Sequence, residues 1–389
     1  MRRLLEGSQA IARTVARCRP GVVPAYPITP QTHIVEALGK LIASGELANS
    51  VYLTVESEFA AMSAAIGASA AGSRSYTATA SQGLLYMTEA VFNAAGLGLP
   101  IVMTVANRAI GAPINIWNDQ SDSMSQRDCG WIQLYANDNQ SALDLHVVAF
   151  ALAERLSVPV MVCVDGFVLT HAFEPLEVPE ADLVDSWLPP FRPRQSLDPT
   201  EPITIGAMVG PAAFTEVRYL AHRQLQRALP EFSRLAGEYG QLTGRPLAAL
   251  ETYRTAGADL VVVALGSVTG TLRALSDQLA EQGRPFGVLS LNMFRPFPYQ
   301  LIRDALAGAK HVLVLERAFA PGADGVVSVD IRQALANGGQ QLSTVVAGLG
   351  GRPVLTSSLD RMLAEAAAGT LAPFSFLDLD IELATGTRA

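Results

Sequence analysis

The segment Tyr26-Pro27-Ile28-Thr29-Pro30 presents one hydroxyl on a loop held by two prolines. Proline fixes φ and biases the residue before it toward extended backbone, so this stretch cannot be a helix interior. It is a stiff loop leaving Val22-Val23-Pro24-Ala25, with Thr29 where backbone motion is smallest. Soon after, Val55-Glu56-Ser57-Glu58-Phe59-Ala60-Ala61 sets a carboxylate at the head of a run of small residues. A rigid hydroxyl beside a semi-buried carboxylate is a device for seating a substrate. Two further polar features follow β-rich runs: Ser81-Gln82-Gly83, and Asn107-Arg108. Each has a plain structural reading when taken singly. Thr29 is then a turn hydroxyl, Glu58 a helix N-terminal charge with Glu56 as its rival, Gln82-Gly83 a helix entry, and Arg108 half of a surface ion pair.

The elements that must position these groups alternate strand and helix. Helices are expected over residues 7–19, 32–43, 57–71, 83–95 and 142–157, the second with Ile34, Val35, Leu38, Leu41 and Ile42 at helical spacing. Strands are expected at residues 22–23, 51–55, 75–79, 101–105 and 158–164. This alternation predicts a parallel, doubly wound α/β sheet. Ligands in such sheets bind at the carboxyl ends of strands, so the four polar features are expected to converge on one crevice. Trp187-Leu188-Pro189-Pro190-Phe191-Arg192-Pro193-Arg194 opens a Pro-rich excursion that runs to about Pro211. Helix is expected on both sides of Pro230. A second α/β unit follows a boundary near residue 255, with strands at 260–265, 286–291 and 311–316 and a rigid loop at Arg295-Pro296-Phe297-Pro298.

Composition bounds the class. The chain has 389 residues, is 49% hydrophobic and only 16% charged, with a mean hydropathy of +0.26. Its apolar runs are short, so no membrane span is expected, and the low charge suggests surface buried against other subunits. Lys and Arg against Asp and Glu give 28 − 36 = −8, which argues against nucleic-acid binding. Glu6, Gly7 and Ser8 interrupt the N-terminal apolar residues at once, so no secretory signal is read and a cytoplasmic location is expected. Cys18, Cys129 and Cys163 stand apart without CxxC spacing. They cannot hold a four-cysteine cluster within this chain.

The order YPITP, SExxAA, TASQGLL and ANRAI resembles the alpha chain of 2-oxoacid:ferredoxin oxidoreductases of the pyruvate:ferredoxin type. The resemblance implies a pyrimidine-type thiamine-diphosphate-binding domain, the doubly wound sheet, over residues 1–255, and a transketolase C-terminal-like α/β domain over residues 256–389. It implies that Glu58 hydrogen-bonds the aminopyrimidine ring of thiamine diphosphate and favours the tautomer that activates the thiazolium carbon. A carboxyl donating there near neutral pH needs a raised pKa, which an apolar pocket of Ala60, Ala61, Met62 and Ala65 would supply. Thr29 matches the threonine that contacts the substrate carboxylate, and Arg108 the arginine near the substrate oxygens. Tyr26, Pro27, Ile28, Ser81 and Gln82 line the cofactor in this reading.

The family's diphosphate and Mg²⁺ segment is not matched; Val164-Asp165-Gly166-Phe167 has a different setting. The resemblance implies beta, gamma and delta type partner chains: a beta-type partner would complete the cofactor site, and Mg²⁺ and the [4Fe-4S] clusters would lie on partner chains. The implied reaction is coenzyme A-dependent oxidative decarboxylation of a 2-oxoacid, pyruvate by default, with ferredoxin or a similar acceptor. The alternatives are phenylglyoxylate, 2-oxoglutarate, a branched-chain 2-oxoacid or oxalate as substrate, a non-redox thiamine enzyme component, and a scaffolding subunit without catalysis. Asp119 and Asp122 are read as ordering the loop after Arg108, His171 as a core or interface histidine, and Arg295 as a boundary residue.

Overall fold

Short apolar runs become strands buried on both faces, and these set the architecture. The computed structural model describes residues 2–336 and 338–387; Met1, Asn337, Arg388 and Ala389 lie outside them. Strands Tyr76–Thr79, Val102–Asn107 and Val160–Asp165 are buried at every residue, as interior strands of a parallel sheet require. They belong to a five-stranded sheet ordered Met293–Arg295, Ile132–Tyr135, Val160–Asp165, Val102–Asn107, Tyr76–Thr79. All neighbours run parallel except the edge strand Met293–Arg295. Val22–Ala25 and Val51–Thr54 form a parallel pair. A parallel bridge between Val22 and Ser75 joins that pair to the Tyr76 edge. The doubly wound sheet expected from the alternation is present.

Helix Thr32–Ala43 forms with the expected bounds. Glu58–Ala70 begins where the Ser57 hydroxyl accepts the Ala60 N–H at 3.2 Å, an N-cap. The single helix expected over residues 83–95 is two, Ser81–Tyr86 and Thr88–Leu97. Pro230 sits in the first turn of helix Ala228–Thr243, where a missing N–H costs no intrahelical bond. The preceding helix, Pro211–Gln226, has no buried residue. Between Trp187 and Pro211 the chain has no helix or regular strand. Arg74 fastens the start of that excursion: it donates to Pro189 O at 2.9 Å while forking onto Glu154 at 2.5 and 3.0 Å. The core of this unit packs Ile11, Val15, Ile34, Leu38, Val148 and Leu152 against the sheet.

Contacts divide the chain into Met1–Ala249 with Asn292–Pro298, and Leu250–Leu291 with Tyr299–Ala389. This differs from the expected division at 255/256, for a reason of pairing. Leu250–Tyr253 adds antiparallel to Gly287–Leu291 in the second sheet, while Met293–Arg295 returns to Ile132–Tyr135 in the first. Arg295 therefore belongs to the first unit, its Cζ 4.1 Å from the Phe294 ring centre and its Nε donating to Arg127 O. The second unit has a six-stranded sheet ordered Phe374–Phe376, Gln341–Val346, His311–Glu316, Leu260–Ala264, Gly287–Leu291, Leu250–Tyr253. Its inner core is formed by Val262, Leu272, Val288, Leu313, Leu359 and their neighbours. Among the described residues no helix is long and apolar enough to cross a membrane.

Candidate active site

Parallel pairing brings the carboxyl ends of Val22–Ala25, Tyr76–Thr79, Val102–Asn107 and Val160–Asp165 to one edge of the first unit. The loops leaving these strands are tied to each other by buried polar groups. Arg108 is 7% exposed. Its Nη1 donates to Thr29 O at 2.9 Å and its Nε to Asn115 O at 3.0 Å. Two of the five guanidinium N–H groups are thereby engaged, and the others can meet an anionic oxygen. Burial lowers the Arg108 pKa and Asp122 opposes this. Thr29 meets Arg108 through its carbonyl, so its exposed side chain is left for a ligand.

Asp122 is the hub. Its Oδ2 accepts the backbone N–H groups of Ser81 and Arg108, each at 2.9 Å; its Oδ1 accepts Asn107 Nδ2 at 2.8 Å and Ser123 N–H at 2.7 Å. One fully buried carboxylate thus fixes the exits of two neighbouring strands. Burial pushes its pKa up to about 6, against the lowering effect of those hydrogen bonds. From its place in the sequence Asp122 orders only its own loop, and nothing in the spacing indicates that it reaches back to Ser81. Asp119 does act locally, accepting Ser121 N–H at 3.0 Å.

Ser81 takes φ +50, a left-handed conformation rare for a residue with a side chain. Its N–H is held by Asp122, and its hydroxyl oxygen lies against both Ala109 O, at 2.5 Å, and Gln82 Oε1, either of which can accept its proton. Such a strained turn, fixed from two sides, is the kind that positions a functional group. Gln82 Nε2 reaches the bare Cα of Gly111, where a Cβ would stand 2.5 Å from it. Gln31, absent from the sequence reading, pins the Pro loop: its Nε2 donates to Tyr26 O at 2.8 Å and to Ala78 O at 3.2 Å. Within that loop Tyr26 and Pro27 are exposed and Ile28 half-buried.

Burial separates the two rival carboxylates. Glu56 is exposed, whereas Glu58 is 8% exposed and forms no hydrogen bond or ion pair through its carboxylate among the described residues. The neighbouring Thr79 hydroxyl is also buried without a partner. Gly83 completes this wall, since a Cβ there would stand 2.6 Å from Thr79 Oγ1 and 2.7 Å from Glu58 Oε1. Unpaired buried polar groups cost about 1–3 kcal/mol each. A carboxylate and a hydroxyl left open around a bare Cα suit a flat ligand that brings its own hydrogen-bonding edge.

Gly166, at the end of Val160–Asp165, works by close approach. A Cβ there would lie 2.4 Å from Asn107 O and 2.6 Å from Pro30 Cγ. Gly166→Ala is therefore expected to destabilise the chain by about 1–3 kcal/mol, read as a lower denaturant midpoint. The strain falls on Pro30 and so on the loop that carries Thr29.

The family described as "Pyruvate flavodoxin/ferredoxin oxidoreductase, thiamine diP-bdg" matches residues 13–233, which contain every residue of this site. This chain belongs to that family. A further family, "Pyruvate:ferredoxin oxidoreductase core domain II", matches residues 258–359. As a member, the chain is an alpha-type subunit of a 2-oxoacid:ferredoxin oxidoreductase and carries a thiamine-diphosphate-binding domain. The pyruvate synthase subunit PorA of Methanosarcina barkeri is 44% identical over 98% of this chain and 97% of its own length. That of Pyrococcus furiosus is 42% identical over 93% of each. The ketoisovalerate oxidoreductase subunit VorA of Pyrococcus abyssi is 40% identical over 92% of each. A solved structure of 2-oxoglutarate:ferredoxin oxidoreductase from Magnetococcus marinus, with 2-oxoglutarate, coenzyme A and succinyl-CoA bound, shares the fold. Its TM-score is 0.72 at 19% identity, with 95% of this chain and 65% of that chain covered.

Proposed function

We propose that this subunit, assembled with partner chains, converts pyruvate and coenzyme A to acetyl-CoA and CO₂, releasing one proton and two electrons to ferredoxin or a similar acceptor. The observation that carries the reading is the unpartnered Glu58 carboxylate facing Gly83 and Thr79, on the sheet edge where Arg108 holds the Thr29 loop. When bound, thiamine diphosphate supplies the nucleophilic carbon and the electron sink that cleavage of a 2-oxoacid requires. Glu58 offers the carboxyl that hydrogen-bonds the cofactor ring, and Ser81 and Gln82 shape the wall beside it. Arg108 directs its remaining N–H groups, and Thr29 its hydroxyl, toward the substrate carboxylate.

A beta-type partner supplies the rest of the cofactor site with Mg²⁺, and the clusters lie on partner chains. The exposed Tyr26, Ile114 and Trp117 around the Thr29 and Arg108 loops support a partner surface there. Pyruvate is favoured by the names of the relatives at 41–44% identity, and a branched-chain 2-oxoacid stands second through the ketoisovalerate relatives at 39–40%.

Turnover of the assembled complex across pyruvate, ketoisovalerate, 2-oxoglutarate, phenylglyoxylate and oxalate, with an iron count, tests this. Reduction of ferredoxin with pyruvate best is the expected result. No turnover of any 2-oxoacid would overturn it. Cleavage without iron or acceptor would instead indicate a non-redox thiamine enzyme.

A further inference from the structure

We propose that Glu6, His33 and His171 form a three-ligand site for a transition-metal dication of the zinc class, at the base of the loop that presents Thr29. One potential ligand atom from each lies within 4.8 Å of the other two. Zinc sites with three protein ligands commonly use two histidines and a glutamate, with a water in the fourth position. The three residues come from three elements. Glu6 ends strand Arg3–Glu6, His33 is the second residue of helix Thr32–Ala43, and His171 lies in the turn before Phe173–Leu176. The antiparallel pairing of Glu6 with Phe173 fixes the first against the third.

The surroundings are those of a supported ligand set. His171 is held between the rings of Phe167 and His33, with centroids 4.8 and 4.7 Å away. Its Nδ1 is hydrogen-bonded with Thr170 Oγ1 at 2.8 Å, and that oxygen accepts Phe167 N–H at 2.8 Å. With Nδ1 engaged by Thr170, Nε2 is the ring nitrogen left to ligate, which resembles the usual outer-shell arrangement of a metal-binding histidine. His33 Nδ1 and Glu6 Oε1 lie 2.6 Å apart. A tetrahedral zinc with bonds of about 2.0–2.1 Å holds its ligands roughly 3.3 Å apart, so binding replaces the proton between these two and opens them slightly.

The consequence reaches the active-site loop. His33 lies in the first turn of the helix that directly follows Thr29-Pro30-Gln31, so a bound ion fixes the base of the loop that presents Thr29.

The full chain, stripped with chelator, would be titrated with Zn²⁺ and separately with Co²⁺. One Zn²⁺ per chain is expected, with affinity reduced at least about tenfold in Glu6→Gln, His33→Gln and His171→Gln and unchanged in His222→Gln. Co²⁺ should give the intense visible bands of a tetrahedral site, and Zn²⁺ should raise the melting temperature of the natural chain and of His222→Gln more than that of the three ligand variants. His33 is half-exposed, so its variant tests the site even if His171→Gln unfolds. Equal Zn²⁺ affinity in the natural chain and the His33 and Glu6 variants, or no stoichiometric binding to the natural chain, overturns the proposal.

Discussion

Glu58→Ala is expected to lower kcat of the assembled complex on pyruvate by about 10²–10⁴-fold, the range for removal of a positioned proton-transfer group. The stability of the chain should not fall with it. Glu58 has no hydrogen-bond partner of its own among the described residues, so its loss strands no other group. With no hydrogen bond to lose, truncating it is expected to be near neutral for stability. This separation distinguishes the functional reading from the bland one. As an N-terminal charge favoured by the helix dipole, Glu58 would contribute about 0.3–1 kcal/mol of stability and no rate. The N-cap of this helix is Ser57, which does its work without Glu58. Glu58→Gln keeps the volume and still hydrogen-bonds, so a comparable loss there assigns the defect to the proton. Turnover within about tenfold of the natural enzyme in both variants would remove Glu58 from the chemistry and favour a scaffolding subunit.

The fold was legible where one physical signal dominated. Strands buried on both faces read as uniform apolar runs, and Val102–Asn107 and Val160–Asp165 stood out for that reason. Where pairing across long separations decides, the sequence was silent. The six residues 250–255 changed units because Leu250–Tyr253 completes a sheet edge, and Gln341–Val346 passed unread although it pairs along its whole length with His311–Glu316. The break between Ser81–Tyr86 and Thr88–Leu97 falls at Met87, an ordinary helix residue with no local stop signal.

The candidate site divides in the same way. Thr29, Glu58, Gln82 and Arg108 occupy short motifs with turn-forming or helix-starting neighbours, so their loops were found. Gln31 and Asp122 act at a distance, on the carbonyl of Ala78 in a strand and the N–H of Ser81 in another loop. A side chain that serves a remote N–H leaves no trace in local spacing.

Asp122→Asn should therefore cost about 10²-fold in kcat, the penalty for groups misplaced by an ångström, although Asp122 touches neither substrate nor cofactor in this reading. A carboxylate here accepts four hydrogen bonds. An amide has a single acceptor oxygen and turns an NH₂ toward donors, so the pair of ties to Ser81 and Arg108 on one oxygen and the pair to Asn107 and Ser123 on the other cannot both survive. The pH dependence carries the distinguishing sign. The native carboxyl titrates near 6, above its ordinary value of 3.8. Between those values the native state holds a proton that the unfolded chain has released. Its contribution to stability is thus fully present below 3.8 and lost as the pH rises through 6, a difference of about 3 kcal/mol. Activity runs the other way: as the pH falls through 6 the carboxyl gains a proton, gives up an acceptor, and loosens the loops. The natural enzyme should show an acid limb near pH 6 in kcat, and Asp122→Asn, which cannot titrate, should be low and flat there. Its stability should also lack the rise on acidification. A merely structural role would lower the yield of folded complex but leave the acid limb in what remains. An unchanged limb in Asp122→Asn, with kcat within about threefold of the natural enzyme, would show that the Ser81 and Arg108 loops are held by something else.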